Sequence, residues 1–375
     1  MAARYANHIV DQSRSTEPAL TGPIHGPYAA LRSSRGSLNV FLALALIAVT
    51  LVVYIPAMQA GFIWNDDEKG SLIGNIVLQE HGLYRVWFTT ESINYWPVVW
   101  TSYWLEHRLW GLHPTGYHVV NVLLHAANAL LIWRILCCLK IPGPWLAAII
   151  FAVHPVNVES VAWITQRKNT LCLLFFLLAL LSYFRFEDRE HRGWYGLAMG
   201  TFVLSMLSKG AAAPLPIVLL LCAWWRRDRI RQYDLIRSLP FFAVSALISL
   251  VEIRFQYLRA IGEDVVRDDS FLSRLAGAGW VIWFYVYKAL LPFHLSFVYR
   301  RWQIDPVNWL SYLPGLLLLG LLLLGWRCRR NWGRPILFAL GYSILMLLPV
   351  LGFFNIYYMK YSFVADHYQY LSIIG

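Results

Sequence analysis

Apolar runs of roughly 17–25 residues recur about ten times along this chain, and each is long enough to cross a bilayer core of about 30 Å. Leu38–Met58, Gly116–Leu139 and Thr170–Phe186 are examples. In lipid, every backbone N–H and C=O must be paired inside its own segment, so continuous apolar runs of this length become helices. A transmembrane barrel would need alternation instead. The expected fold class is therefore all-α, a polytopic transmembrane helix bundle of about 10–11 spans. Composition agrees: 58% apolar and 14% charged residues leave too little polar surface to coat a soluble globule.

A net charge of +11 would point to nucleic acid in a soluble chain. Here much of the Arg stands in short connections such as Arg226–Arg231 and Arg327–Arg330, where positive charge fixes the cytoplasmic side. No nucleic-acid partner is expected. Residues 1–37 carry Gly, Pro, Ser and Arg without an apolar period and read as a disordered basic cytoplasmic tail. Residues 38–375 read as one membrane domain, with a first span running outward into a long outer loop over residues 59–115. The five cysteines lie in or beside apolar segments and read as small packers, with no disulfide framework implied.

The outer side collects the chemistry. Asp66, Asp67 and Glu68 stand side by side just after the first span, where mutual repulsion and poor solvation make such clustering costly. The competing reading is a solvated acidic turn. His118, Asn121, His125 and Asn128 are spaced three, four and three apart, which lines up a polar stripe on one face of the second span. That stripe suits a wet cavity or, alternatively, hydrogen bonds that glue the bundle. His154 and Glu159 open a second outer segment that ends in Arg167 and Lys168. Lys209 follows a later span, and Asp366 and His367 lie in a Tyr-rich outer segment near the chain end. Cations outside defy the charge rule, although a lone Lys at a helix junction is also a common snorkelling anchor.

Carboxylates and cations gathered at one face of an apolar bundle suit a substrate that is half lipid and half polar, such as a sugar on a polyprenyl phosphate. Arg167, Lys168 and Lys209 would hold the donor phosphate, and a carboxylate would deprotonate an acceptor hydroxyl. Glu68, His118, Asn121, His125, His154, Glu159, Asp366 and His367 are the other candidates to line the substrate site. Asp66 and Asp67 are the only metal ligands this pattern proposes, for a hard divalent cation such as Mg or Mn. A polytopic transporter would concentrate polar groups at the bilayer midplane and often shows an internal repeat; it stays open as an alternative, as does a non-catalytic membrane scaffold. A zinc peptidase is disfavoured because no His-Glu-x-x-His occurs.

The blocks Gly61–Glu68, Asn94–Pro97, Gly116–Asn128, His154–Trp163 with Arg167 and Lys168, Ser208–Lys209 and Phe363–Leu371 together resemble the membrane half of the transmembrane and tetratricopeptide-repeat proteins. These form a family of GT-C-fold glycosyltransferases whose animal members are O-mannosyltransferases. The resemblance implies a GT-C-like fold, transfer of a sugar from a polyprenyl-phosphate donor to a protein or other hydroxyl acceptor, and a catalytic base at Asp66 or Asp67, with Asp67 preferred. Four positions depart from the pattern: Trp96 and Asn157 stand where the family usually has His, Asn169 where it has an acid, and Gly210 where it has Pro. The repeats themselves are not in this sequence, which reads as truncated at its C-terminus. The expected setting is a bacterial inner membrane, with the active site on its outer face.

Overall fold

The computed structural model describes residues 27–66 and 78–375, with side chains described from Ser37 onward, Asn65 excepted. Asp67 and Glu68 lie outside the described residues, as do residues 1–26 of the expected tail. The described residues are helical, with turns and extended connections and no strand. Helix α1, Pro27–Val53, starts well before the expected span start at Leu38. Ala43–Gly375 form one compact unit. In it follow α2 (Ile55–Met58), α3 (Gly82–Phe88), α4 (Pro97–Trp110), α5 (Pro114–Cys138), α6 (Pro144–Val153) and α7 (Val158–Ala162). After them come α8 (Arg167–Arg189), α9 (Arg192–Met206), α10 (Leu215–Arg227), α11 (Gln232–Phe255), α12 (Phe271–Leu290), α13 (Leu313–Arg327) and α14 (Gly333–Leu347).

Proline sets several of the helix starts. Pro97, Pro114 and Pro144 each stand in the first turn of their helices, where the missing N–H leaves no bond unmade and the fixed φ suits the helix. The link from α5 to α6 turns through Gly143 at φ +65°, a conformation that L side chains adopt reluctantly. α8 is the central element and packs most extensively against α9 and α5. Phe176, Leu177 and Leu180 of α8 join Ile132 of α5, Phe202 of α9, Leu219 of α10 and Phe241 of α11 in the main core. A smaller core under Trp100, Tyr103 and Tyr117 seats the long first loop on the bundle, because α4 packs on both α5 and α8.

Five helices among the described residues are long and apolar enough to cross a membrane, or six if the pair α6 and α7, bent by 51°, is one broken span. That is fewer than the ten to eleven expected from sequence. For two of the expected spans the reason is length. α9 and α10 have 15 and 13 residues, and at about 1.5 Å per residue such helices fall short of a 30 Å hydrocarbon layer. An apolar run in sequence does not reveal where the helix will stop.

Two polar regions sit at opposite ends of α8, a helix of 23 residues and so about 34 Å long. At its C-terminal end, Glu187 of the last turn binds Arg226 and Arg227, both at 2.7 Å, and Arg227 reaches Asp234 at 2.6 Å. The other end, at Arg167–Asn169, gathers the groups singled out as outer by the charge pattern.

Candidate functional site

Asp66 ends a short 3-10 turn, Trp64–Asp66, and is fully buried. Its Oδ2 accepts from Ile63 N at 3.1 Å and its Oδ1 from Thr165 N at 3.0 Å, so one carboxylate ties the first loop to the turn before α8. Burial raises its pKa above the ordinary carboxylate value; the N–H donors of Ile63 and Thr165 and the charge of Lys168 work against that rise. Lys168 donates to Thr165 O at 3.1 Å and lies over the rings of Trp96 and Trp163 at 5.0 and 5.7 Å. Thr165 thus brings the carboxylate and the ammonium to the same turn.

Lys209 arrives from the α9–α10 junction. Its Nζ donates to Asn169 Oδ1 at 2.6 Å and lies 5.6 Å from the ring of Tyr368. Burial pulls its pKa down to about 8, with nearby carboxylates at Glu252 and Glu159 opposing the fall. Glu159 binds His367 twice, at the backbone N (2.8 Å) and at Nδ1 (2.7 Å). Burial lowers the His367 pKa, against the pull of Glu159. Asp366 accepts from Tyr299 Oη at 2.8 Å, and burial pushes its pKa up to about 6. Asp66, Lys168, Lys209, Glu159 and His367 are therefore gathered at one end of the bundle, as their placement in sequence implied.

Other candidates have partners within the protein. Arg167 has 0% side-chain exposure and all five of its N–H groups are engaged: Nη1 and Nη2 hold Glu106, Nη1 also reaches Ser102 Oγ at 3.5 Å, Nη2 also donates to Tyr117 O, and Nε donates to Asn121. A guanidinium bound in this way has no donor left for a phosphate. Asn121 is equally engaged, reaching the carbonyls of Val161, Trp163 and Ile164. His125 sits between Tyr370 Oη at 2.8 Å and Ala152 O at 3.0 Å. His118 faces Gly61 O at 3.4 Å, and His154 faces Ala289 O at 3.0 Å. The stripe on α5 and His154 thus fasten helices and loops together, because a polar group on a buried face is stabilised by the nearest carbonyl. Among the described residues no group of three His, Cys, Asp or Glu side chains stands together as an ion site would need, and Asp67, the other residue of the metal expectation, lies outside the described residues.

Beside Lys209 opens a largely apolar groove of about 610 Å³. Ala213, Ile217, Ile253, Leu348 and Phe353 form its walls, and Lys209, Trp96, Glu252 and Tyr368 its polar end. Glu252 was not singled out from sequence. Its Oε1 accepts from Trp96 Nε1 at 3.0 Å and the Gly210 backbone donates to it. A Cβ at position 210 would collide with Glu252 Oε2, so the glycine is what lets the carboxylate come this close. The available signal was a carboxylate at the end of the apolar stretch that begins at Leu239, a placement that is expensive in lipid.

Residues 97–253 match the family described as dolichyl-phosphate-mannose-protein mannosyltransferase; the match contains Lys168, Lys209 and Glu252. The protein O-mannosyl-transferase F38B6.6 of Caenorhabditis elegans is 25% identical over 355 residues, covering 88% of this chain and 49% of that protein. Protein O-mannosyl-transferase TMTC2 of Mus musculus is 33% identical over 177 residues, 44% of this chain and 21% of its own. TMTC4 of Homo sapiens is 31% identical over 199 residues, 45% of this chain and 26% of its own. The chain spans half or less of the length of these curated relatives. No solved structure matches. Over these stretches the chain is similar to protein O-mannosyl-transferases, and its long apolar helices support an integral membrane protein.

Proposed function

We propose that the chain is a glycosyltransferase moving a sugar from a polyprenyl-phosphate donor to a hydroxyl of a protein acceptor, on the outer face of its membrane. The observation that carries this reading is the groove: an apolar trough about the volume of a ligand site, ending at a half-buried Lys209 with Lys168 and Asp66 nearby. An isoprenoid tail would lie along Ile217, Ile253 and Phe353, and the phosphate would meet the two ammonium groups. Departure of the lipid phosphate as a stabilised anion needs little acid help, so a carboxylate base plus fixed cations can complete the transfer. Asp66 or Asp67 is that base. The names of the relatives support a mannosyl donor and a protein acceptor; the bacterial inner membrane stays part of the reading, although those relatives are animal proteins.

Transfer by purified protein from labelled polyprenyl-phosphate mannose to an acceptor peptide tests the reading; no transfer from any polyprenyl-phosphate sugar would defeat it. Lys209→Ala is expected to weaken donor affinity roughly ten- to a hundredfold, because a charge-assisted contact contributes about 1.5–3 kcal/mol. Proton linkage gives a second readout. With its pKa held down to about 8, Lys209 is charged below that pH and neutral above it, so kcat/KM should fall as pH rises through 8. Lys209→Arg should remove that alkaline limb. A limb unchanged in the Arg variant would leave Lys209 as a structural anchor.

Orientation is tested separately. In a cysteine-free background, a cysteine at exposed Arg229 should resist an impermeant thiol reagent in intact cells, whereas one at exposed His81 should react. Labelling of position 229 from outside would overturn the outward placement of the site.

A further inference from the structure

Glu252 has no part in the transfer chemistry above, yet it stands at the polar end of the groove beside Lys209. A carboxylate has about four lone-pair positions, and Trp96 Nε1 and the Gly210 N–H take one on each side. The remaining positions are held in a fixed orientation, because Trp96, just before α4, supplies the indole and the α9–α10 junction supplies the N–H. A second group at the same end lacks a partner. Tyr368 is 8% exposed, lines the groove, and its hydroxyl is without a hydrogen-bond partner. A buried orphan hydroxyl is costly unless something fills the space beside it. The polar end therefore offers a fixed acceptor at Glu252, an unused donor and acceptor at Tyr368, an aromatic face at Trp96 and a cation at Lys209. A sugar joined to a lipid phosphate has hydroxyls for the first two, C–H faces for the third and a phosphodiester for the last.

Resting on the glycosyltransferase reading, we propose that Glu252 reads the donor headgroup, accepting hydroxyls of a neutral sugar and rejecting headgroups that carry extra negative charge. The sign follows from Coulomb repulsion in a poorly solvated groove. A sugar phosphodiester carries one negative charge, whereas bare polyprenyl phosphate, the product, approaches two. Glu252 thus tightens the loaded donor and loosens the discharged lipid, and it excludes donors whose sugar is an acid. A site that hydrogen-bonds a substrate hydroxyl also discriminates sharply against the analogue that lacks it.

Competition binding in nanodiscs tests this with labelled polyprenyl-phosphate mannose, displaced by unlabelled polyprenyl phosphate, on the full chain. Glu252→Gln should lower the affinity ratio of sugar donor to bare lipid phosphate at least tenfold, with the bare lipid bound as well as or better than by wild type. Glu252→Leu, which suits the apolar walls and so preserves the fold, should show the same shift. Lys209→Ala should weaken both lipids in parallel. If the Glu252 variants lose both lipids equally, or neither, Glu252 only ties α11 to α4 and the inference fails while the donor reading stands. If wild type binds neither lipid, the donor reading fails and takes the inference with it.

Discussion

Asp66→Asn is expected to lower turnover at least a hundredfold while leaving donor affinity within a few fold. The amide keeps the volume of the carboxylate but has no basicity, and general base catalysis typically contributes about 10²–10⁴ in rate. Burial already lifts the Asp66 pKa, which brings its basicity toward that of a group able to take a proton near neutrality. The same lift sets the pH dependence. Activity requires the ionised form, so kcat/KM should fall as pH drops through a pKa above the ordinary carboxylate value. Asp67→Asn is the paired experiment, since the acid that acts as base should lose both the rate and the acid limb. Asp66 has a second duty through Ile63 N and Thr165 N, and Asn can still accept one of these bonds. A normal rate in both single variants would remove the base from this loop.

Removing Arg167 should damage the fold rather than the chemistry. Arg167→Met leaves Glu106 buried, at 5% exposure, without its cation, and breaking a buried pair from one side costs about 3–5 kcal/mol. The loss should show as a lowered denaturation midpoint in detergent, with donor affinity of the surviving folded fraction unchanged. Pairing it with Glu106→Gln should recover part of the stability, because no buried charge is then left without a partner. If Arg167→Met instead kept full stability and lost donor affinity, the guanidinium would be a phosphate ligand after all, and its bonds to Glu106 and Asn121 incidental.

The contrast between Arg167 and Lys168 shows where sequence stops being informative. They are neighbours with the same charge, and both defy the positive-inside trend, yet one closes a buried ion pair and the other sits by the candidate site. About 100° of helix rotation separates adjacent residues, so which of the two meets α4 is decided by how α4 and α5 pack on α8. The stripe on α5 divided in the same way: its spacing correctly placed His118, Asn121 and His125 on one buried face, but a face toward lipid-free interior is satisfied equally by water, substrate or carbonyl oxygens. Only the carbonyls of Val161, Trp163 and Ile164 opposite Asn121 decide among these. Apolar run length and Arg placement, read from sequence, were enough for an all-helical membrane chain and for the grouping of Asp66, Lys168, Glu159, Lys209 and His367, because hydrophobic transfer and positive-inside bias act through composition over many residues. Helix ends, the Glu106–Arg167 pair and the Glu252 site arise from contacts between residues as many as 156 positions apart, and such contacts exist only once the helices are packed.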